Sequence, residues 1–185
     1  SLFVLAALRL VGPAPALADD ARTITVFEGR QFAVPVPAGW SFDERSDPHH
    51  GLQTIQLEDP GKEVVLQITF FPDSSGKLSS REALEAEAKR ILEPYLETSV
   101  EKEVRLTFFD SPDGIGAYSA FTDGKLDPKH IPEDEKLISV SGIRAWKGGY
   151  DLFTILTNTT DSAAYKKALD IAVSGLRQVK APVAF

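Results

Sequence analysis

The sequence has no cysteine among its 185 residues, which excludes disulfide bonds and lipid attachment through a cysteine within it. A chain without cysteine is compatible with an oxidising compartment but does not demonstrate one. The sequence also lacks a P-loop, a dinucleotide-binding glycine pattern and the Gly-x-Ser-x-Gly elbow of many hydrolases. We therefore predict no catalytic residue and no cofactor.

Basic residues are few relative to acidic ones. The chain has 20 Lys and Arg against 27 Asp and Glu, which gives a formal net charge of −7. Phosphate-binding surfaces need clustered Lys and Arg, so we expect no nucleic-acid partner. The apolar content of 43% and the charged content of 25% are typical of a globular domain, and the length suits a single one.

Residues 1–18 resemble a secretory signal peptide. A short apolar run, LFVLAALRLVG, precedes an Ala-Leu-Ala cleavage pattern at 16–18, directly before Asp19. The run is shorter than the about 20 apolar residues that span a bilayer, and Arg9 interrupts it. We expect export to the bacterial periplasm or beyond, one domain over residues 19–185, and no transmembrane span in the mature chain. The alternative is an amphipathic N-terminal helix packed on that domain.

Short strand-like runs joined by turns follow. TITVFEGRQFAVPVP predicts a hairpin that turns at residues 28–30, and LQTIQLED and EVVLQITFF predict strands on either side of a Pro-Gly turn. KEVRLTFF and GIGAYSAFT predict another hairpin, and KLISVSGIRAW and YDLFTILTN predict a third that turns at residues 147–149. YDLFTIL is apolar on both faces, which is typical of a strand inside a covered sheet.

Two amphipathic helices are predicted beside these strands. Ser79 and Glu82 have the spacing of a capping box, and Pro94 should end or kink the helix that they begin. A second helix is expected from about Asp161 to about Arg177. Helices combined with hairpin-connected strands predict the α+β class, with a central antiparallel β-sheet flanked by helices on both faces.

The segment FAVPVPAGWSF, residues 32–42, resembles the opening strand and turn of the Mog1/PsbP-like group. In that group a hydrophobic strand ends at a proline, and a short Gly-Trp turn leads into the next strand. The order of the later elements agrees over about residues 23–179. The resemblance implies an α/β/α sandwich that acts by binding or assembly rather than catalysis, with the bacterial exported branch, similar to DcrB, fitting best. No metal-binding or partner-binding residue of the group maps onto a position here.

The stretch SDPHHG contains two of the three histidines. The imidazoles of His49 and His50 and the carboxylate of Asp47 are ligand types that zinc and copper accept. Both histidines can reach one ion only if the backbone turns there, and Asp-Pro followed by Gly makes a turn plausible. The alternative is a plain exposed turn. His130 could complete a site only if its loop meets this one.

A second polar stretch, DGKLDPKHIPEDE at residues 123–135, is rich in acidic side chains. It lacks the spacing of an EF-hand loop, and the alternative to a functional role is a solvated acidic loop. Long connections in compact domains are often functional. We therefore predict a partner-binding surface made of Asp123, Asp127, His130, Glu133 and Asp134.

These observations favour a non-catalytic exported protein that binds another envelope protein. A small-ligand-binding or divalent-metal-binding periplasmic protein is the second hypothesis, and a hydrolase is the third. A pocket between sheet and helix would favour a ligand, whereas Ser, His and Asp side chains that converge in a cleft would favour an enzyme.

Overall fold

Two antiparallel sheets, one of seven strands and one of three, form the framework of this protein. The computed structural model describes residues 20–73 and 75–179, so the segment predicted as a signal peptide lies outside the described residues. The strands and helices are, in chain order, β1 (Asp20–Thr25), β2 (Gln31–Val36), β3 (Ser41–Asp47), β4 (Leu52–Glu58), β5 (Val64–Pro72), α1 (Arg81–Leu92), β6 (Thr107–Ser111), β7 (Gly114–Thr122), β8 (Ile138–Trp146), β9 (Gly149–Thr157), α2 (Ala163–Asp170) and β10 (Arg177–Val179).

The larger sheet has the strand order β3-β4-β5-β9-β8-β7-β6. Its β8–β9 hairpin turns through two residues, because Trp146 pairs with Gly149. Gly148 adopts a φ of +94° in this turn, a conformation that side chains rarely allow. β9 lies between β5 and β8, which confirms the interior position predicted for it.

α1 begins one residue later than the sequence predicts. The Oγ atom of Ser80 accepts a hydrogen bond from the N–H of Ala83 at 3.2 Å, so Ser80 is the N-cap. A side-chain oxygen at this position satisfies an amide that has no partner inside the helix. The capping box predicted for Ser79 and Glu82 is therefore wrong, since the third helical residue is Ala83.

α1 ends as its proline predicts. The α-helix stops at Leu92, and Pro94 lies in a tighter 3-10 turn that covers Glu93–Glu97. Proline lacks the N–H that an α-helix would use there. On its inner face α1 buries Leu84 and Ala88 completely.

α2 is shorter than predicted. It begins after its N-cap, Ser162, and the α-helix ends at Asp170. Ile171–Gly175 then form a wider π-type turn, and the chain is extended again from Arg177. The prediction of a helix reaching about Arg177 is wrong, because β10 pairs there with β2 and takes the backbone into a sheet.

The first hairpin forms its own sheet rather than joining the central one. β2 pairs with β1 on one side and with β10 on the other. Phe32 and Val34 of β2 are fully buried in a core that also contains Ile68, Phe153 and Ile155 of the larger sheet. The predicted α+β class with a central antiparallel sheet is confirmed, while a second sheet packed against it was not predicted.

The two helices pack on different strands of the larger sheet. α1 contacts β7 and β8, and its Leu84 and Ala88 share a core cluster with Ala117 and Ile143. α2 contacts β5 and β9, with Ala168 in the main core. No helix in the part of the chain that the structure describes is long and apolar enough to cross a membrane.

Candidate binding surfaces

The stretch SDPHHG forms the turn between β3 and β4. The Oδ1 atom of Asp47 accepts hydrogen bonds from the backbone N–H of His49 (3.0 Å) and of His50 (3.3 Å). The Oδ2 atom of the same carboxylate lies 2.7 Å from Nδ1 of His50. This hydrogen bond with the imidazole lowers the pKa of the Asp47 carboxyl. The carboxylate thus holds both the backbone of the turn and one ring, a common role of Asp in turns.

The predicted metal set is only partly assembled in this turn. Asp47 and His50 are in contact, whereas the contact from His49 to Asp47 is made by its backbone N–H. Zinc sites in proteins use three or four protein ligands. The described residues contain no group of three or more His, Cys, Asp or Glu side chains placed to hold an ion. Metal binding at Asp47, His49 and His50 stays a prediction.

The same arrangement recurs in the loop between β7 and β8. Oδ1 of Asp127 accepts a hydrogen bond from the N–H of Lys129 at 2.9 Å, and Oδ2 lies 3.0 Å from Nδ1 of His130. The bond with His130 lowers the pKa of the Asp127 carboxyl. Both turns have the sequence Asp-Pro-x-His, so the same local contacts accompany the same short sequence.

The two Asp–His turns lie at opposite ends of the larger sheet. The 48–51 turn shares its end with the β8–β9 turn, because Gln53 pairs with Phe70 and Phe70 pairs with Asp151. The β7–β8 loop leaves the sheet at the other end of these strands. The two loops therefore do not meet, and His130 is not placed to complete a site with the first turn.

The β7–β8 loop is fixed at both bases. The carboxylate of Glu101 accepts hydrogen bonds from the N–H (2.7 Å) and the hydroxyl (2.9 Å) of Thr122. Burial alone would raise the pKa of Glu101, but its hydrogen bonds, those from Thr122 foremost, lower the pKa overall. At the other base, Oδ1 of Asn158 accepts a hydrogen bond from the N–H of Leu137 at 2.9 Å. The sheet therefore determines where this loop stands.

A groove of about 430 Å³ lies beside the anchored loop. The β4–β5 turn contributes Lys62 and Glu63, the loop contributes Glu133 and Lys136, and the chain after β9 contributes Asn158. Lys62 adopts a positive φ of 56° in its turn. The groove thus presents charges of both signs from two segments and uncharged polar side chains from a third.

The residues predicted as a partner surface have different positions in this loop. Glu133 lines the groove, and Asp134 beside it is exposed. Asp123 accepts a hydrogen bond from a backbone N–H two residues on, while Asp127 pairs with His130. In the part of the chain that the structure describes, the carboxylates of Glu133 and Asp134 therefore accept no hydrogen bond and form no ion pair.

A second concave surface lies at the opposite end of the sheet. This open cleft of about 380 Å³ is bounded by the segment before α1, the β6–β7 turn and the β8–β9 turn. Leu78, Ile115 and Ala145, which share one cluster on the α1 side of the sheet, supply apolar surface, and Asp113 and Lys147 also line the cleft. Its volume falls in the range of small-molecule sites, about 300–1,000 Å³. None of the three histidines is among the described residues that line it.

A buried charged pair that the sequence analysis did not predict lies near the β8–β9 turn, on the face of the larger sheet that packs against Phe32. Arg144 and Asp151 pair directly across β8 and β9, are fully buried, and lie 2.7 Å apart from Nη2 to Oδ2. The indole N–H of Trp146 donates to the same Oδ2 at 3.1 Å, and Arg144 also donates to the carbonyl of Leu176 at 3.2 Å. Burial raises the pKa of the Asp151 carboxyl, and the Arg144 guanidinium counteracts part of that rise.

A signal for this pair exists in the sequence. Arg144 and Asp151 interrupt two apolar strands at equal distances from the hairpin turn. In an antiparallel hairpin with a two-residue turn, positions equidistant from the turn face each other. The sequence analysis predicted a three-residue turn at 147–149. With that turn the two residues are not equidistant from it, so their pairing could not be recognised.

One solved structure resembles this chain over nearly its whole length. The solution structure of cyanobacterial PsbP (CyanoP) from Synechocystis sp. PCC 6803 matches with a TM-score of 0.51 and 11% sequence identity, covering 95% of this chain and 99% of that chain. A likeness at this identity shows the fold alone. The protein therefore has a PsbP-like fold, as the sequence resemblance predicts. No protein-family model and no curated protein matches the sequence.

Proposed function

We propose that this protein is a non-catalytic binding protein of the bacterial envelope, exported to the periplasm, and that its partner is another envelope protein. The groove beside the β7–β8 loop is the observation that carries this proposal. Support for export comes from the sequence of residues 1–18. The DcrB-like, bacterial exported branch of the PsbP-like fold fits such a protein.

The preformed shape of the loop supports a docking role. Glu101 and Asn158 fix the two bases of the loop, so binding would not need to order it from a flexible state. Surfaces that are already ordered lose less conformational entropy on association. The exposed carboxylates of Glu133 and Asp134 would then meet a partner at defined positions.

The charge of the loop indicates what kind of partner surface would fit. Residues 123–136 carry five carboxylates and three lysines. An acidic, exposed surface attracts a basic one and accelerates the encounter at low ionic strength. We infer that the partner presents a basic segment to this groove, with Lys62 and Lys136 engaging acidic side chains at its margin.

We also infer that the layers form an α/β/α sandwich, with α1 and α2 on opposite faces of the larger sheet. Leu152 and Phe153 are neighbours on β9 and must point to opposite faces. Leu152 packs with the cluster that contains residues of α1, and Phe153 packs in the cluster that contains residues of α2. This assignment leaves both ends of the sheet open for loops that bind.

Site-specific photo-crosslinking of the full chain tests the binding proposal. A photoreactive amino acid at Asp134 should yield a discrete cross-linked product in the living bacterium, whereas the same amino acid at His49 should not. His49 is a matched control because it is also exposed in a turn, at the opposite end of the sheet. Excess wild-type protein should suppress the product, and the Glu133→Lys/Asp134→Lys variant should not. Equal products at both positions, or none, would overturn the proposal.

Small-ligand binding is the second candidate function, favoured by the cleft of about 380 Å³ between the sheet and the segment before α1. The sequence suggests one form of this second function, in which Asp47, His49 and His50 bind a divalent metal. Thermal-shift measurements with Zn²⁺ and Cu²⁺ test it. A metal-dependent rise in the melting temperature that is absent from the His49→Ala/His50→Ala variant would support it, and equal shifts in both proteins would overturn it.

A further inference from the structure

We propose that β6, at one edge of the larger sheet, is an interface between two copies of this chain, which pair their β6 strands antiparallel about a two-fold axis. The pairing joins the two larger sheets into one and places Arg81 of each copy against Asp110 of the other. This surface is separate from the groove beside the β7–β8 loop, so the inference goes beyond the proposed function and does not rest on it.

The outer edge of β6 is open in the part of the chain that the structure describes. β6 is the last strand of the larger sheet and pairs only with β7. Its residues take part in none of the described backbone hydrogen bonds outside the sheet. The turn Ile171–Gly175 contacts β6, but Ile171 and Ala172 belong to the core cluster against which Phe109 packs, so they cover one face of the strand. The N–H and C=O groups along the edge are therefore a template for another strand.

The two edges of the larger sheet differ in how they are protected. β3, at the other edge, carries four charged side chains in seven residues, namely Asp43, Glu44, Arg45 and Asp47. β6 has the sequence TFFDS, with one charge and two phenylalanines, and its register with β7 is continuous. Charged side chains, prolines and bulges are what keep natural sheet edges from pairing. β6 is therefore the less protected of the two edges.

Arg81 stands beside β6 without a charged partner. Its guanidinium lies over the ring of Phe108, with Cζ 4.2 Å from the centroid. The ion pairs of the described residues do not include it. Arg81 is also the first residue of α1, where a cation opposes the helix dipole. The stability of the helix thus does not account for an arginine at this position.

Asp110 is the matching unpaired charge. It is exposed on β6, and because it lies two residues from Phe108, both side chains point to the face that carries Arg81. Its carboxylate also joins none of the ion pairs of the described residues. Arg81 and Asp110 both line a groove of about 170 Å³, with Leu84 and Ile115 as its apolar surface. The two charges of one copy therefore stand across a groove and do not compensate each other.

An antiparallel pairing centred on Phe109 brings opposite charges of two copies together. A two-fold axis perpendicular to the sheet keeps the α1 faces of both copies on the same side. In this register Asp110 of one copy is directly opposite Phe108 of the other, whose ring carries Arg81. Residues directly opposite have Cβ atoms about 4.5–5.5 Å apart, which puts the carboxylate within reach of the guanidinium. The axis repeats the contact, so two ion pairs form.

The interface is small, which determines how it should be measured. Two paired five-residue strands lie at the low end of specific interfaces, which commonly bury about 1,200–2,000 Å² in total. We therefore expect a weak dimer that forms at high protein concentration. Its two ion pairs are near the surface, so added salt should weaken it.

Sedimentation equilibrium of the full chain, from low micromolar to millimolar concentration, tests the interface. The wild-type chain should show a reversible monomer–dimer equilibrium. Arg81→Asp and Asp110→Arg each place like charges in both contacts, so each should raise the dissociation constant at least about tenfold. An equimolar mixture of the two variants should recover dimers, because each variant supplies the charge that the other has lost.

Matched variants at the other edge serve as controls. Arg45→Asp and Asp43→Arg on β3 change the net charge of the chain by the same amounts and should leave the dissociation constant unchanged. Arg81→Asp should not lower the melting temperature, since an acidic residue is favourable in the first turn of a helix. Loss of the dimer in this variant would then not reflect misfolding. Amide hydrogen exchange along β6 should slow as the wild-type concentration rises.

Three results would overturn the interface. The first is a chain that stays monomeric at every concentration. The second is a dimer that the Arg81 and Asp110 variants leave intact, or a mixture of these variants that associates no better than either alone, because the contact would then lie elsewhere. The third is an equal loss in the β3 variants, which would show that net charge rather than β6 governs association.

Discussion

The ring of Phe109 lies over Gly116, its direct partner across β6 and β7. A Cβ atom built on Gly116 would stand 2.1 Å from Cζ of the Phe109 ring. The ring also contacts Phe153 and Tyr118, with centroids 6.2 Å and 6.1 Å away. β6 lies at the edge of the larger sheet. Because Gly116 has no side chain, the Phe109 ring can lie over β7 and point toward the centre of the sheet.

Gly116→Ala should destabilise the protein by about 1–3 kcal/mol, as overpacking a filled site does. The added methyl group would displace the Phe109 ring from its contact with Phe153. Urea denaturation of the two proteins measures the loss. In the Phe109→Ala background the same Gly116→Ala change should cost much less, because the obstructing ring is gone. Equal costs in both backgrounds would contradict the packing argument.

Asp151→Ala should destabilise the protein by about 3–5 kcal/mol, because it leaves the buried charge of Arg144 without its partner. The loss should appear as a lower midpoint in thermal or urea unfolding. Asp43→Ala is a matched control, since Asp43 also pairs with an arginine at 2.7 Å but is exposed. Removing the Asp43 carboxylate should change the free energy of unfolding by less than about 1 kcal/mol. Similar losses for both would contradict the role of burial.

Replacing Arg144 and Asp151 together by Met and Leu should cost less than Asp151→Ala alone. The double replacement leaves no uncompensated charge in the core, and apolar substitutes for buried ion pairs are often tolerated. Trp146 would still lose its hydrogen-bond acceptor, so some destabilisation should remain. A double variant as unstable as the single one would show that the pair contributes more than charge compensation.

Glu101→Gln should lower stability at neutral pH by about 1 kcal/mol, the net worth of an ordinary hydrogen bond. The pKa of Glu101 is lowered in the folded protein. Its ionised form therefore adds stability above the unfolded pKa, about 4.3, and this stability disappears as the pH falls through the folded pKa. The two proteins should converge in acid. Glu103→Gln, an exposed neighbour, should show a smaller difference at every pH.

The carboxyl of Asp47 should titrate below its ordinary value of about 3.9, because it is hydrogen-bonded to the His50 ring. NMR titration of the side-chain carbon measures this pKa directly. His50→Ala should move the pKa back toward the ordinary value. His49→Ala should leave it largely unchanged, since His49 reaches the carboxylate only through its backbone N–H. An unchanged pKa in His50→Ala would show that the ring contact is absent in solution.

Much of the fold could be predicted from short patterns. The Pro-Gly turn between β4 and β5 lies where the sequence predicts it, and the β8–β9 turn lies within the predicted residues 147–149, although it is one residue shorter. Turns of this kind are set by the backbone preferences of a few neighbouring residues. The error at the start of α1, where Ser80 replaces Ser79 as the N-cap, arises because adjacent serines offer the same chemistry and only packing distinguishes them.

The candidate site was less predictable. The sequence indicated the loop at residues 123–135 but not the groove, because Lys62 and Asn158 come from distant segments. The cleft likewise combines Leu78, Asp113 and Trp146 from three parts of the chain. Residues far apart in sequence come together only through the order of strands in a sheet, which local patterns do not encode.

By itself the sequence determined the class of the fold and the order of its main elements as far as α2. Hydrophobic periodicity and turn residues act over a few positions, so a single chain displays them directly. Only the tertiary structure decided that the first hairpin joins β10 in a separate sheet, that the two Asp-Pro-x-His turns stand at opposite ends, and that Arg144 meets Asp151 in the core. These features depend on long-range strand pairing, which is selected by the burial of the whole core rather than by any one segment.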